Sequence, residues 1–155
     1  MSEIDPPPAP AAPSAQGEGR RPDFPFSHPV AVRFRDLDPM GHAHHSLPLV
    51  YFEEARAAFW RMLTGEDGLE AIDYVIGGVR VAYRERVRFP MTATVALRVS
   101  RIGDRSFTFD YELRGPDGQL LVEGSTDQVL YDYSAGRSKP IPEALRAALE
   151  AAAGG

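Results

Sequence analysis

Apolar residues recur at every second position in several stretches of this chain and at helical spacing in two others. From His28 onward Val30, Val32 and Phe34 alternate with Ala31, Arg33 and Arg35, which predicts a half-buried strand. Three further sets alternate downstream: Val79, Val81 and Tyr83; Ala93, Val95, Leu97 and Val99; Phe107, Phe109, Tyr111 and Leu113. A last strand is expected from Leu120 to Tyr131. The breaks "RIGDR" and "RGPDG" are short and rich in Gly, Asp and Pro, so the strands they join should form antiparallel hairpins. Between the first two strands, Phe52, Ala55, Phe59 and Met62 recur at helical spacing, and Leu47, Leu49, Val50 and Tyr51 make the first turns apolar nearly all round. This predicts a helix over 46–63 enclosed by a sheet, with Ser46 accepting hydrogen bonds from its first N–H groups and Pro48 in its first turn. Pro142 opens "PEALRAALEAAA", a short terminal helix. The expected architecture is α+β: one strand, one long helix, then four strands in a meander, making a five-stranded antiparallel sheet wrapped around the helix.

Composition narrows this picture. The first 29 residues hold eight of the 14 prolines and almost nothing apolar before Phe24, so residues 1–24 read as a disordered Pro/Ala-rich tail and 25–155 as one domain. A formal charge of -5 argues against a nucleic-acid partner. The absence of cysteine removes disulfides, thiol nucleophiles and Cys-ligated zinc. With no long apolar run and no signal-peptide core at the N-terminus, the expectation is a soluble, cytoplasmic protein.

The candidate chemistry is concentrated in "RDLDPMGHAHHSLPLVYFEEAR", residues 35–56. A metal site is not expected, because H-x-H-H within one loop does not easily aim three rings at one ion. The two carboxylates are more informative. In the strand alternation Asp36 shares the face of Val32 and Phe34, whereas Asp38 lies beyond the strand beside Pro39 and a turn-forming glycine, free to point into the space before the helix. The N–H groups around His45, Ser46 and Leu47 would face it as donors for developing negative charge. A carboxylate opposite such donors suits attack on an acyl carbonyl, with Asp38 as nucleophile or general base.

The stretch "VRFRDLDPMGHAHHSLPLVYFEEARAAFW" closely resembles the first strand, loop and helix of the 4-hydroxybenzoyl-CoA thioesterase-like family of hotdog-fold acyl-CoA thioesterases. That family's signature runs roughly D-x-D-x-x-G-H-x-N-N and then Y-F-E-x-A-R. "RIGDRSFTFDYEL" and "LLVEGSTDQVLYDYSAGRSKPIPEALRAAL" resemble its later strands and C-terminal helix. The resemblance implies a hotdog fold and hydrolysis of an acyl-CoA or acyl-carrier thioester. It places Asp38 on the catalytic carboxylate and Asp36 on a more structural one, and Gly41 and His42 match the G-H step. His45 falls where a backbone N–H polarises the thioester carbonyl, and Glu53 where some relatives contact the acyl group. Gly41, His42, His45, Ser46 and Glu53 are thus the expected substrate-binding residues. Glu54 and Arg56 are expected in a surface or dimer ion pair.

No cofactor or metal is implied beyond the coenzyme A of the substrate. The family's oligomers imply a homodimer or homotetramer with sites at the interface. Arg80, Arg84, Arg86 and Arg88 read as one polar face of the second strand, there for solubility or to meet coenzyme A phosphates. The chain departs from the family at His44 and His45, which replace Asn-Asn, at Pro48, and at Pro90 and Met91 in place of Gly-Asp. These departures leave two alternatives: a non-catalytic acyl-binding subunit, or an enoyl-CoA hydratase of the same fold, suggested by "DLDPMGH".

Overall fold

The alternating segments form strands β1 (Phe26–Val32), β2 (Tyr74–Tyr83), β3 (Met91–Ile102), β4 (Ser106–Arg114) and β5 (Leu120–Asp132), with a two-residue β6 (Arg137–Ser138). The helical segments are α1 (Leu47–Thr64) and α2 (Glu143–Ala153). This computed structural model describes residues 23–65 and 72–154. The expected tail lies outside the described residues except for Asp23 and Phe24. Phe24 is buried, with the Arg98 guanidinium 4.8 Å above its ring, so this residue packs with the domain.

The five long strands pair antiparallel in the order β1-β3-β4-β5-β2, and β6 pairs with β5. The two short turns form hairpins as predicted, because each closes strands that are neighbours in sequence. The four-strand meander does not form. β2 crosses to the far edge and pairs with β5, while β1 takes the place beside β3.

Period two holds where both a strand's neighbours and the helices cover it. Ala93, Val95, Leu97 and Val99 on β3 and Phe107, Phe109, Tyr111 and Leu113 on β4 are all buried. Against them α1 presents Tyr51, Phe52, Ala55, Phe59 and Trp60; Phe52 stacks on Tyr111 with ring centroids 4.6 Å apart, and Phe59 meets Phe109 edge-on at 5.3 Å. α2 lies beside α1 against β3 and buries Leu149. At Gly124 on β5 there is no room for a side chain. A Cβ there would sit 2.7 Å from the Arg80 carbonyl oxygen and 2.8 Å from Phe52 Cε2.

Some apolar positions stay outside this core. Met62 is 59% exposed, and in the last turn of α1 it is Leu63 that packs against the core. On the edge strand β2, Val79 and Tyr83 are about half exposed (52% and 51%), because among the described residues no strand lies on its outer side and α1 leans towards β1 and β3. Phe34 also faces solvent, at 77% exposure. β1 ends at Val32, and Phe34–Asp36 form a 3-10 turn that rotates Phe34 away from the Val32 face.

Candidate active site

The loop between β1 and α1 is built on Asp36. Its carboxylate is buried and accepts the Arg33 N–H at 2.9 Å and the Tyr51 hydroxyl at 2.7 Å, which fastens the end of β1 to α1. Burial, followed by the neighbouring Asp36 carboxylate, pushes the Tyr51 phenol well above its ordinary range. The Asp36 carbonyl accepts the His44 N–H at 2.8 Å. Asp36 therefore holds the loop, as the resemblance implies.

Asp38 sits inside the tight hairpin that follows. Its N–H donates to the His42 carbonyl at 2.8 Å, and the Gly41 N–H donates to the Asp38 carbonyl at 3.0 Å. Gly41 takes a φ of 79°, a left-handed conformation that side chains disfavour, and this closes the hairpin. The Met40 N–H donates to Asp38 Oδ1 at 2.9 Å. Oδ2 has no hydrogen-bond donor among the described residues, so the carboxylate is oriented through one oxygen and available through the other. The Ala43 N–H donates to the Val87 carbonyl at 2.9 Å and ties the hairpin to the segment after β2.

The start of α1 has fewer free donors than the sequence suggests. Leu47 N–H donates to the His44 carbonyl at 2.9 Å, and Ser46 N–H is directed at His44 Nδ1 at 3.3 Å. His45 N–H has no acceptor among the described residues. Ser46 does not cap the helix with its side chain; its hydroxyl is 2.8 Å from His44 Nδ1 instead, because Ser46 already adopts helical dihedrals that turn it from the N–H groups.

Asp38, His42 and His45 line one cleft of about 400 Å³, together with Met40, Pro48, Tyr83, Arg86 and Val87. Asp38, whose carboxylate keeps one oxygen free of donors among the described residues, and His45, at the helix start, thus border the same space. Ser46 and Gly41 stay in the scaffold, and Glu53 is exposed on α1 away from the cleft. A second cleft of about 400 Å³ opens on the outer face of the sheet. Charges there are partly paired with one another, as in the bond from Arg98 to Asp110 at 3.0 Å, and none of the expected site residues lines it. Among the described residues no three His, Asp or Glu side chains form a group able to hold a metal ion.

Glu54 forms a surface ion pair, as expected, with Arg33 at 3.3 Å. The arginines lie elsewhere than their pattern suggests. Among the described residues Arg56 makes no ion pair; it is buried and donates to the Tyr111 hydroxyl at 3.4 Å, which in turn shares a hydrogen bond with Thr126 at 2.7 Å. Burial acts to lower the Arg56 pKa, but the Tyr111 and Tyr74 phenols more than offset it and keep the guanidinium charged. The four arginines do not share a strand face. β2 ends at Tyr83 because the Arg84 and Glu85 N–H groups both turn to the Leu121 carbonyl, at 2.8 and 3.0 Å. Arg84 then pairs with Glu123 at 2.7 Å and lines the Asp38 cleft with Arg86, whereas Arg80 lines the outer cleft. Tyr83 is the site residue that sequence reasoning missed: period two assigns it to the core, and nothing local signals that it borders the cleft.

The profile of the family described as the thioesterase-like superfamily matches residues 32–149, from the end of β1 into α2, the span that builds this cleft and its support. The chain belongs to the thioesterase-like superfamily. Among solved structures, this thioesterase is similar to a thioesterase of Thermus thermophilus crystallised in complex with coenzyme A and Zn. The two are 30% identical with a TM-score of 0.79 over 87% of this chain and 98% of that one. The PA2801 protein of Pseudomonas aeruginosa is 31% identical, with a TM-score of 0.72 over 79% of this chain and 96% of that one. YsmA of Bacillus subtilis (strain 168) is 24% identical over 115 residues, which cover 74% of this chain and 78% of YsmA. The fold is the hotdog fold and the protein is a thioester hydrolase, which sets aside the hydratase and non-catalytic readings. No helix among the described residues is long and apolar enough to cross a membrane.

Proposed function

We propose that this thioesterase hydrolyses acyl-CoA thioesters in the cytoplasm, with Asp38 as the catalytic carboxylate and the His45 N–H as the donor to the thioester oxygen. The observation that carries this reading is the shared cleft: Asp38, with Oδ2 free, and His45 border one space at the start of α1. Coenzyme A bound to the Thermus thermophilus thioesterase supports a CoA ester as substrate.

In the nucleophilic route Oδ2 attacks the acyl carbon, the carbonyl electrons move onto oxygen facing the His45 N–H, and their return expels the coenzyme A thiolate. Water then cleaves the mixed anhydride, restoring the carboxylate and releasing the acid. In the base route Asp38 takes a proton from water as its oxygen attacks the acyl carbon, and that proton leaves with the thiol. A thiol leaves readily, so a carboxylate and an oxyanion donor suffice, without a resident metal or cofactor.

The working form is proposed to be a homodimer or homotetramer. β2 has one strand neighbour, and Ile76, Val79 and Tyr83 along this edge are 40%, 52% and 51% exposed, an apolar rim that a second copy would cover. The cleft lies at the Tyr83 end of that edge, which would put each site beside the partner.

The test is Asp38→Asn, which keeps the Met40 hydrogen bond while removing nucleophile and base. Thiol release from acetyl-, hexanoyl- and benzoyl-CoA should fall at least ~100-fold with folding intact by circular dichroism. Wild-type rates in this variant would refute the assignment.

A further inference from the structure

We infer that Tyr83 is a positioning residue for the thioester reaction, setting the direction of the one N–H at the start of α1 that is free to stabilise the oxyanion. The inference rests on the reading of Asp38 and His45 just proposed and adds a group that this reading does not contain.

The hydrogen bonds around the helix start isolate a single donor. His44 N–H is taken by the Asp36 carbonyl, Ser46 N–H by His44 Nδ1, and Leu47 N–H by the His44 carbonyl. The His45 N–H remains, so its aim decides how well the cleft receives developing charge. The peptide carrying this N–H also carries the His44 carbonyl, held through Leu47. The next peptide carries the His45 carbonyl, which accepts a hydrogen bond from the Tyr83 hydroxyl. With a peptide plane pinned on each side of the His45 Cα, the freedom of that N–H to swing is small.

The origin of the Tyr83 bond matters as much as the bond itself. Tyr83 is the last residue of β2, paired with Val122 on β5, so its backbone belongs to the sheet and not to the loop that carries Asp38. Its ring is 51% exposed and forms part of the cleft wall. Core packing does not require a tyrosine at so exposed a position; a hydroxyl that reaches from the sheet to the helix start gives the residue a purpose. Preorganised donors stabilise a transition state because they need no reorientation when charge appears. A donor held on one side only would lose part of that advantage while still binding substrate.

Tyr83→Phe removes the hydroxyl and keeps the ring that lines the cleft. Removing an oxyanion donor outright costs about 10²–10³ in kcat, so loosening one should cost about tenfold or more. KM for the fastest of acetyl-, hexanoyl- and benzoyl-CoA should change less than about threefold, because the ground-state carbonyl carries little charge. Oligomeric state by light scattering should be unchanged.

A spectroscopic arm reads the donor directly. In Asp38→Asn, the infrared carbonyl band of bound, isotope-labelled benzoyl-CoA should lie below its position in solution, and adding Tyr83→Phe should move it back towards the free value. A kcat within about twofold of wild type, or an unmoved carbonyl band, would overturn the inference. Loss of hydrolysis in Asp38→Asn with wild-type rates in Tyr83→Phe would refute Tyr83 alone, whereas wild-type rates in Asp38→Asn would refute the catalytic reading beneath it.

Discussion

Replacing Tyr51 with Phe tests whether the loop that carries Asp38 is held by a buried carboxylate. The Tyr51 side chain is 1% exposed, and its hydroxyl is one of two donors to Asp36 Oδ2, the other being the Arg33 N–H. Phenylalanine keeps the ring and opens no large cavity, so the cost is one hydrogen bond to a charged acceptor, about 1.5–3 kcal/mol. For a domain of this size that corresponds to a fall in Tm of about 5–15 °C by scanning calorimetry near neutral pH.

The pH profile supplies a second reading. Tyr51, Tyr74 and Tyr111 all have phenols raised above the ordinary value of 10.0, each chiefly through burial. They stay protonated in the folded state and release protons on unfolding once the pH exceeds that value. Stability is therefore complete below about pH 10 and falls as the pH rises above it, since the unfolded state then binds fewer protons. Tyr51→Phe removes one of the three, and its alkaline decline should be shallower than that of the wild type. A Tm change under about 2 °C together with an unchanged alkaline slope would refute the role given to this bond.

Gly124→Ala should lower stability by about 1–3 kcal/mol in urea unfolding, because the added Cβ would lie 2.7 Å from the Arg80 carbonyl oxygen and 2.8 Å from Phe52 Cε2. A midpoint equal to that of the wild type would show that α1 can move away from β5 at no cost. Deleting residues 1–22, which leaves Phe24 and its contact with Arg98 in place, should shift Tm by less than about 2 °C, since the removed segment has too few apolar groups to offset its ordering entropy. A larger fall in calorimetry would show that the segment packs on the domain.

Much of the site was legible because it is local. Asp36, Asp38, Gly41 and the helix start lie within eleven residues, and a hairpin closed by glycine in front of a helix depends on short-range hydrogen bonds. The division between a holding Asp36 and an available Asp38 came from the resemblance, while the strand itself stops at Val32, earlier than the alternation predicts. Its neighbours were less legible. Ser46 has the side chain of a helix cap but is engaged by His44, and nothing in its sequence position distinguishes the two. Arg56 has the look of a surface charge, yet Tyr111 and Thr126, far along the chain, give it a buried place.

The same division separates the parts of the fold. Periodicity determined that β3 and β4 each have one apolar face and that one helix must be covered by a sheet, and the short Gly- and Asp-containing breaks determined that their turns make hairpins. It could not determine that β2 would leave its neighbour in sequence to pair with β5. An alternating strand satisfies its backbone equally well beside any partner of matching register, and only the collective burial of α1 selects among them. Tertiary structure therefore decided that Val79 and Tyr83 lie on a half-exposed edge rather than in the core. It thereby brought Tyr83 from the end of one strand to the helix start that holds His45. Local hydrogen bonds and side-chain period act over a few residues, whereas that meeting depends on which surfaces the whole chain can bury at once.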